Sequence, residues 1–363
     1  MTNCAKPIGV AIVGCGLIGT KRAAVLAEDD ETRLVAVADV TADRAERLAQ
    51  QYGCEAFTDW QSLIQREEVE VVIVSTSNNW LASVTIEAAR NGKHVLCEKP
   101  MGRDVGEARQ MLQAARANRT FLKIGFNHRY HPAIRKAHEL VQNGGIGNPY
   151  YIRCVYGHGG RLGYEKDWRA NRNLSGGGEM LDQGIHLVDL CRWFFGDFKE
   201  VSAFTAAYFW RGSVDNLLSD TSDDASTPVE DNAFALMRTV DGRIALLHAS
   251  WTQWKNRFTF EVYGDAGHVS IDGLNGSYGL EQVTWGRRSP ESGPPIQECF
   301  EFPGPDRSWH AEWSDFLFSL RTNSEPTVSG SDGLEAMRMV AAVYEASKNR
   351  QIVSLDDHSQ FQF

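Results

Sequence analysis

The chain has 363 residues, 42% hydrophobic and 23% charged, and 47 acidic against 37 basic side chains give a formal net charge of −10. This length supports two domains with two buried cores, and the acidic balance excludes nucleic acid as the main partner, because a phosphate backbone demands a basic face. The seven cysteines, Cys4, Cys15, Cys54, Cys97, Cys154, Cys191 and Cys299, are widely spaced with no C-x-x-C, which excludes a disulfide framework or zinc ligand set and points to buried free thiols in a reducing compartment.

No apolar run reaches the ~18–20 residues of a membrane helix. Ile8 to Ile18 has the hydropathy of a signal-peptide core, but only Lys6 precedes it and glycines interrupt it. The expected location is therefore the cytoplasm, with no membrane partner.

In chain order, residues 7–13 form a short apolar run suited to a buried parallel strand. A glycine cluster follows, then a helix from Thr20 to about Asp29. Strands are predicted at 34–38, 69–75, 94–97 and 121–125, alternating with helices at 42–52, 81–91 and 105–118. Strands alternating with helices imply a doubly wound parallel sheet, a Rossmann-type domain over residues 1–126.

From 127 to 363 the texture changes. Helices are predicted at 132–142 and 179–195, and strands at 150–156, 201–208, 233–239, 243–252, 258–263 and 268–271, with closing helices at 309–320 and 332–347. Asp241-Gly242 is a hairpin signal between two of these strands. Such a run of strands with segregated helices predicts an α+β domain with an open, mostly antiparallel sheet. Residues 211–231 are polar and acidic and read as an exposed loop.

Gly14-Cys15-Gly16-Leu17-Ile18-Gly19 is G-x-G-x-x-G, placed after a strand and opening a helix. Gly14 permits the tight turn, Gly16 lets backbone approach a pyrophosphate, and Gly19 lets the helix pack on the strand. The N–H groups around Gly16, Leu17 and Ile18 offer partial positive charge to phosphates. Asp39 ends the second strand, where an acid accepts the ribose hydroxyls of NAD and repels the extra phosphate of NADP. The preferred cofactor is NAD.

Cys97-Glu98-Lys99-Pro100 ends the fourth strand, and ligands of an open α/β sheet bind beyond the carboxyl ends of its strands. The Lys99 ammonium could hydrogen-bond a reacting oxygen and ease its proton loss. Asp182 and His186, four apart on a predicted helix, share a face after Gly176-Gly177-Gly178. Oxidising a secondary alcohol needs a base, and histidine serves at neutral pH. No His/Cys/Asp cluster has metal-ligand spacing, so no metal is expected.

Taken together, these features resemble the Gfo/Idh/MocA family, named for glucose–fructose oxidoreductase and inositol dehydrogenase. The resemblance runs over nearly the whole chain. It rests on Gly14 to Gly19, Glu98-Lys99-Pro100, Gly125-Phe126-Asn127-His128-Arg129, the three glycines with Asp182 and His186, and Asp332-Gly333-Leu334-Glu335-Ala336. It implies an NAD(P)-dependent oxidoreductase acting on CH–OH groups, with Lys99, Asp182 and His186 in catalysis and His186 as the base. It also implies Ser75, Thr76 and Asn78 along the cofactor, Glu98 near the nicotinamide ribose, and a C-terminal sheet that forms a homo-dimer or homo-tetramer. The segment Thr76-Ser77-Asn78-Asn79-Trp80-Leu81 departs from the family's Thr-Pro-Asn-x-x-His.

The expected substrate is a sugar, sugar derivative or cyclitol. Arg153, Arg161, Lys166, Arg169 and Arg172 outnumber Glu165 and Asp167 between 151 and 172, a local excess that suits an anionic substrate such as a uronate, sugar phosphate or nucleotide sugar. Ordinary intraprotein pairing of these charges is the alternative. Arg129, Arg161 and Trp168 are the candidate substrate contacts. The same residues admit two other readings: a glycosidase using NAD as a transient oxidant, and a non-catalytic sugar or NAD sensor on the same fold.

Overall fold

The structure, a computed structural model, describes residues 6–160, 162–210, 229–291 and 293–355. Residues 211–228 of the expected exposed loop lie outside these. The described residues divide into two compact units, the first comprising those of 6–126 and 309–335 and the second those of 127–308 and 336–355.

The first unit is built on β1 (Ile8–Val13), β2 (Thr32–Ala38), β3 (Glu55–Phe57), β4 (Val71–Val74), β5 (His94–Cys97) and β6 (Leu122–Ile124). Their order is β3-β2-β1-β4-β5-β6, every pair parallel. Between them run α1 (Leu17–Ala27), α2 (Ala42–Tyr52), α3 (Trp60–Ile64), α4 (Asn78–Arg90) and α5 (Val105–Ala117). β1 and β4 are buried throughout, as central strands covered on both faces must be. The strand order reverses on either side of β1, so the crevice beyond the ends of β1 and β4 is the switch point where ligands bind.

Trp309–Glu335 belongs to this unit, although the sequence assigned it to the C-terminal domain. The reason is apolar: Trp313, Phe316 and Leu317 of α9 (Ser308–Thr322) join Val10, Ile12, Val71 and Ile73 in one buried cluster. The short β3 and α3 carry too few residues to produce a periodic signal and were not anticipated. Helix α1 starts three residues earlier than predicted, because Gly16 serves as its N-cap.

In the second unit, α6 (Pro132–Gln142), α7 (Arg172–Ser175) and α8 (Ile185–Phe195) accompany β7 (Pro149–Gly157), β8 (Phe198–Ala206), β9 (Asn232–Thr239), β10 (Ile244–Ser250), β11 (Arg257–Gly264), β12 (Gly267–Asp272), β13 (Gln282–Arg287), β14 (Ile296–Glu301) and β15 (Val353–Ser354). Helix α10 (Gly330–Asn349) gives residues 330–335 to the first unit and the rest to the second. The nine strands run β14-β13-β12-β11-β7-β10-β9-β8-β15, antiparallel except for the parallel pair β7–β10. Asp241-Gly242 turns β9 into β10 as expected, with Gly242 at φ +91. Helix α8 packs on β7 and β10, and α6 on β12 and β13, so one sheet face is covered. Strands β13 and β14 were missed, since β14 is almost wholly exposed and shows no buried alternation.

Four of the six described cysteines, Cys15, Cys97, Cys154 and Cys191, are buried free thiols, whereas Cys299 is exposed.

Candidate active site

In the first unit, β1 runs into Gly14, which takes φ +99. A Cβ on Gly14 would press on the Ser75 backbone, and one on Gly19 would collide with the Gly14 carbonyl oxygen. These glycines let α1 and the loop after β4 close on the turn. Gly16 differs, because a Cβ there would meet nothing within 4 Å. The open side of the turn thus faces the first turn of α1, which carries no acidic residue and presents orphan N–H groups of Leu17 and Ile18. That is a cradle suited to a pyrophosphate.

Asp39 is half-buried beside it. Its Oδ2 accepts from the Cys15 N–H at 2.8 Å and its Oδ1 from the Thr41 N–H at 2.8 Å. Each carboxylate oxygen retains a second lone pair for a ribose hydroxyl. Burial and the Asp39 charge push the Cys15 thiol up to about 12, so it takes no part as a thiolate. The Ser75 hydroxyl donates to the Gly14 carbonyl at 2.8 Å, and that of Thr76 to the Ser77 carbonyl at 3.1 Å. Ser75 therefore fastens the glycine turn to the loop after β4, and buried Asn78 opens α4.

Lys99 is half-buried just past the carboxyl end of β5. Its neighbour Glu98 does something the sequence did not indicate. The Glu98 carboxylate is buried, and its Oε1 accepts from Arg22 Nε at 2.8 Å and lies 2.6 Å from Nη2. Arg22 Nη2 also meets Glu312 of α9 at 2.7 Å, and its guanidinium lies over the Trp309 ring. Lys123 of β6, fully buried, pairs with Asp315 at 2.8 Å. Glu98 thus ties the segment before Lys99 to the helix of the phosphate cradle. A ribose contact from this carboxylate, expected from the resemblance, would compete with that pair.

In the second unit, Asp182 lies in a π-helical turn, Met180–Gly184, that continues directly into α8. His186 sits in the first turn of α8 and is 4% exposed. Its ring stacks on His128, with centroids 3.9 Å apart and planes at 30°. The His128 Nδ1 is 3.2 Å from Asn127 Oδ1.

Asp182 meets Arg169 across 3.5 Å, and the Arg169 guanidinium lies over Trp168, 4.5 Å from the ring centroid. Burial pushes the phenols of Tyr156, Tyr164 and Tyr278 up, and the charges of Glu179 and Asp182 add to this. These tyrosines therefore remain neutral hydroxyls at working pH.

One candidate substrate contact is engaged elsewhere. Arg129 is 5% exposed and grips Asp189 of α8 with Nε and Nη2 at 2.8 and 2.6 Å. It holds α8 in place and is not presented to a ligand. Arg161 lies outside the described residues. Arg153 pairs with Glu261 at 2.5 Å and Arg169 with Asp167 and Asp182, so much of the local basic excess is matched within the protein.

The backbone that carries Asp182 has a partner the sequence did not indicate. The buried Glu230 carboxylate accepts from the N–H of Gly178 at 3.1 Å, the N–H of Met180 at 3.1 Å and the Tyr344 hydroxyl at 2.7 Å. Burial pushes its carboxyl up, against these hydrogen bonds and the nearby charge of Arg172.

Residues 8–126 match the model of the oxidoreductase family with an NAD-binding Rossmann fold, and residues 134–270 match the GFO/IDH/MocA C-terminal domain. The chain is 27% identical to levoglucosan dehydrogenase of Pseudarthrobacter phenanthrenivorans over 64% of its length, an alignment spanning 63% of that protein. It is 27% identical to myo-inositol 2-dehydrogenase of Thermotoga maritima over 96% of this chain and 98% of that one. It is 30% identical to D-glucoside 3-dehydrogenase of Escherichia coli over 68% of this chain and 71% of that one.

Among solved structures, aldose-aldose oxidoreductase from Caulobacter crescentus, complexed with glycerol, superposes with a TM-score of 0.82 at 28% identity over 96% of this chain and 100% of that one. A levoglucosan dehydrogenase complexed with NADH shares the fold with a TM-score of 0.85 at 21% identity, over 97% and 100%. The chain belongs to the GFO/IDH/MocA family of NAD(P)-dependent oxidoreductases.

Proposed function

We propose that this oxidoreductase uses NAD to interconvert a secondary hydroxyl and a ketone on a neutral sugar or cyclitol. The observation that carries the reading is the buried His186 at the head of α8, one turn past Asp182 and stacked on His128. A base so held can receive a hydroxyl proton at a defined nitrogen.

In the oxidising direction His186 takes the proton, and Asp182 supports the charged imidazole. The Lys99 ammonium stabilises the charge that develops on the oxygen. NAD, when bound, supplies the hydride acceptor. Gly14, Gly16, Leu17 and Ile18 receive its phosphates and Asp39 the adenosine ribose. Thr76 and Asn78 flank it. NAD is preferred over NADP because the half-buried Asp39 carboxylate would repel a 2′-phosphate.

A neutral substrate is preferred because Arg153, Arg169 and Arg129 are already matched by Glu261, Asp182 and Asp189. Trp168, half-buried under Arg169, offers a ring face to a sugar. The relatives named for inositol, levoglucosan and glucoside point the same way.

The test is NADH formation by purified protein with NAD or NADP against cyclitols, free sugars, glycosides, uronates and sugar phosphates. Turnover with NAD on a neutral polyol is expected. Faster turnover of every anionic analogue would reverse the substrate assignment, and a preference for NADP would reverse the reading of Asp39. His186→Asn should lower kcat by roughly 10²–10⁴ if general base catalysis is lost.

We also propose that a second copy of this chain covers the face of the nine-stranded sheet opposite α8. Phe204, Phe234, Leu236 and Leu246 are exposed there, cross-strand neighbours by register. Beside them lie the pairs Glu200–Arg238 and Arg153–Glu261. A surface mixing an apolar row with both charges is self-complementary, as a twofold interface requires. Light scattering should give a dimer or larger, and Leu246→Asp should shift it toward monomer.

A further inference from the structure

We propose that Glu230 is a positioning residue for the catalytic segment. Its buried carboxylate, held by Tyr344, anchors the backbone from which Asp182 and His186 project. The inference rests on the assignment of Asp182 and His186 as the reacting pair.

The geometry begins with the glycines. A Cβ on Gly177 would collide with the Tyr344 hydroxyl, and one on Gly178 with the Glu230 carbonyl oxygen. The chain is therefore threaded between these two side chains, which only glycine permits. The Glu230 carboxylate then collects the N–H of Gly178 and of Met180, while its own carbonyl accepts from the Glu179 N–H at 3.0 Å. Three successive N–H groups at the start of the π-helical turn are thus satisfied by one residue 50–52 positions away in sequence. Orphan N–H groups at a helix start attract an acceptor, and a carboxylate is the strongest available.

The turn is held from its other end as well. A Cβ on Gly184 would press on Met180 Sδ and on Ala249 of β10. With both ends fixed, Asp182 and the first turn of α8 have one backbone path. Tyr344 donates to Glu230 Oε1 at 2.7 Å and fixes the rotamer of the carboxylate.

The neighbouring Asp231 does similar work elsewhere. Its carboxylate accepts from the N–H groups of Tyr208, Phe209 and Trp210 at 2.9, 2.7 and 3.0 Å. Glu230 and Asp231 together therefore anchor two separate chain segments to the start of β9.

The experiment compares the wild-type protein with Glu230→Gln and Tyr344→Phe. The first replaces one carboxylate oxygen with an NH2 that repels a backbone N–H; the second removes only the hydroxyl that orients the carboxylate. Three readouts are taken: hydrogen exchange at the amides of Gly178 and Met180, the imidazole NMR signals of His186, and kcat against KM for NAD. The expected result is faster exchange at both amides, a shifted or broadened His186 signal, and a kcat lowered by up to about 100-fold, the cost of misplacing a reacting group by an ångström. KM for NAD should stay constant, because no cofactor residue is touched.

Tyr344→Phe should show the same pattern at smaller amplitude, and it decides the question alone if Glu230→Gln does not fold. A folded variant with a lower melting temperature, unchanged His186 signals and unchanged kcat would overturn the proposal, because that is the signature of stability alone. If the wild-type protein turns over no polyol, the failure belongs to the functional assignment, and the exchange and NMR readouts still decide whether Glu230 fixes the segment.

Discussion

The imidazoles of His128 and His186 lie face to face, 3.9 Å between centroids, both almost completely buried. His186 comes from the head of α8 and His128 from the 3-10 turn Asn127–Tyr130. That turn is itself locked to α8 by the Arg129–Asp189 pair. The stack therefore fixes the plane of the ring that we assign as base. His128→Phe keeps a flat ring in the same place and should retain most of the activity. His128→Ala removes the support, and kcat should fall by about tenfold or more as the base loses its alignment, with KM for NAD unchanged. Steady-state kinetics of the two variants checks this; equal kcat in both would remove the positioning role.

The Arg22–Glu98–Glu312 cluster leads to a prediction on stability. Arg22 is 1% exposed and bridges two carboxylates, one beside Lys99 and one on α9. Replacing it removes the cation paired with both buried carboxylates, although Glu312 keeps the nearby charge of Lys123. Arg22→Met should lower stability by about 3–5 kcal/mol, the usual cost of breaking a buried ion pair from one side. The double variant Arg22→Met/Glu98→Gln should recover part of that loss. Denaturant melts of the single and double variants give the coupling directly.

The parallel sheet and the glycine cradle were legible because both are local. A buried strand, a glycine turn and a helix start lie within twelve consecutive residues, Ile8 to Gly19, and each has its own pattern. The helix that carries His186 was legible from its apolar spacing, whereas the π-helical turn that carries Asp182 was not. Arg129 was misread because a cation near a family motif looks the same in sequence whether it meets a ligand or Asp189, 60 residues later. Glu230 gave no signal at all. It stands at the edge of a polar stretch, and its meaning comes from Gly178 and Tyr344, which only the folded chain brings to it. Trp313 and Phe316 show the same limit for domains, since a closing helix carries no mark of which core it fills.

Two glycines of the cradle, Gly16 and Gly19, should separate binding from folding. Gly19→Ala would drive a methyl into the Gly14 carbonyl, so the variant should be destabilised and poorly folded. At Gly16 a methyl meets no atom and the backbone angle, φ −74, suits any residue. Gly16→Ala should therefore fold normally, yet its methyl would stand where the phosphates approach. The expected outcome is an unchanged melting temperature with Kd for NAD raised by about tenfold or more, as one displaced charge-assisted hydrogen bond costs ~1.5–3 kcal/mol. Titration calorimetry and thermal melts on the two variants check both halves.

A last prediction concerns acid. Burial lowers the pKa of His94 below the ordinary histidine value, against the opposing charge of Glu70. Its Nδ1 accepts the Phe121 N–H at 3.0 Å, and the ring stacks on the Phe121 ring, so the neutral form is the one the strand pairing uses. With the folded pKa depressed, the folded chain binds fewer protons than the unfolded chain. Stability is then complete above the unfolded value of about 6.5 and is lost as pH falls below it. His138 and His248 are lowered by burial in the same direction, which steepens the acid limb. His94→Asn keeps an acceptor near the Nδ1 position and removes the titration. Its melting temperature should fall less between pH 6.5 and pH 5 than that of the wild-type protein, by an amount set by one proton at most. Parallel acid limbs for the two proteins would show that His94 does not titrate in this window.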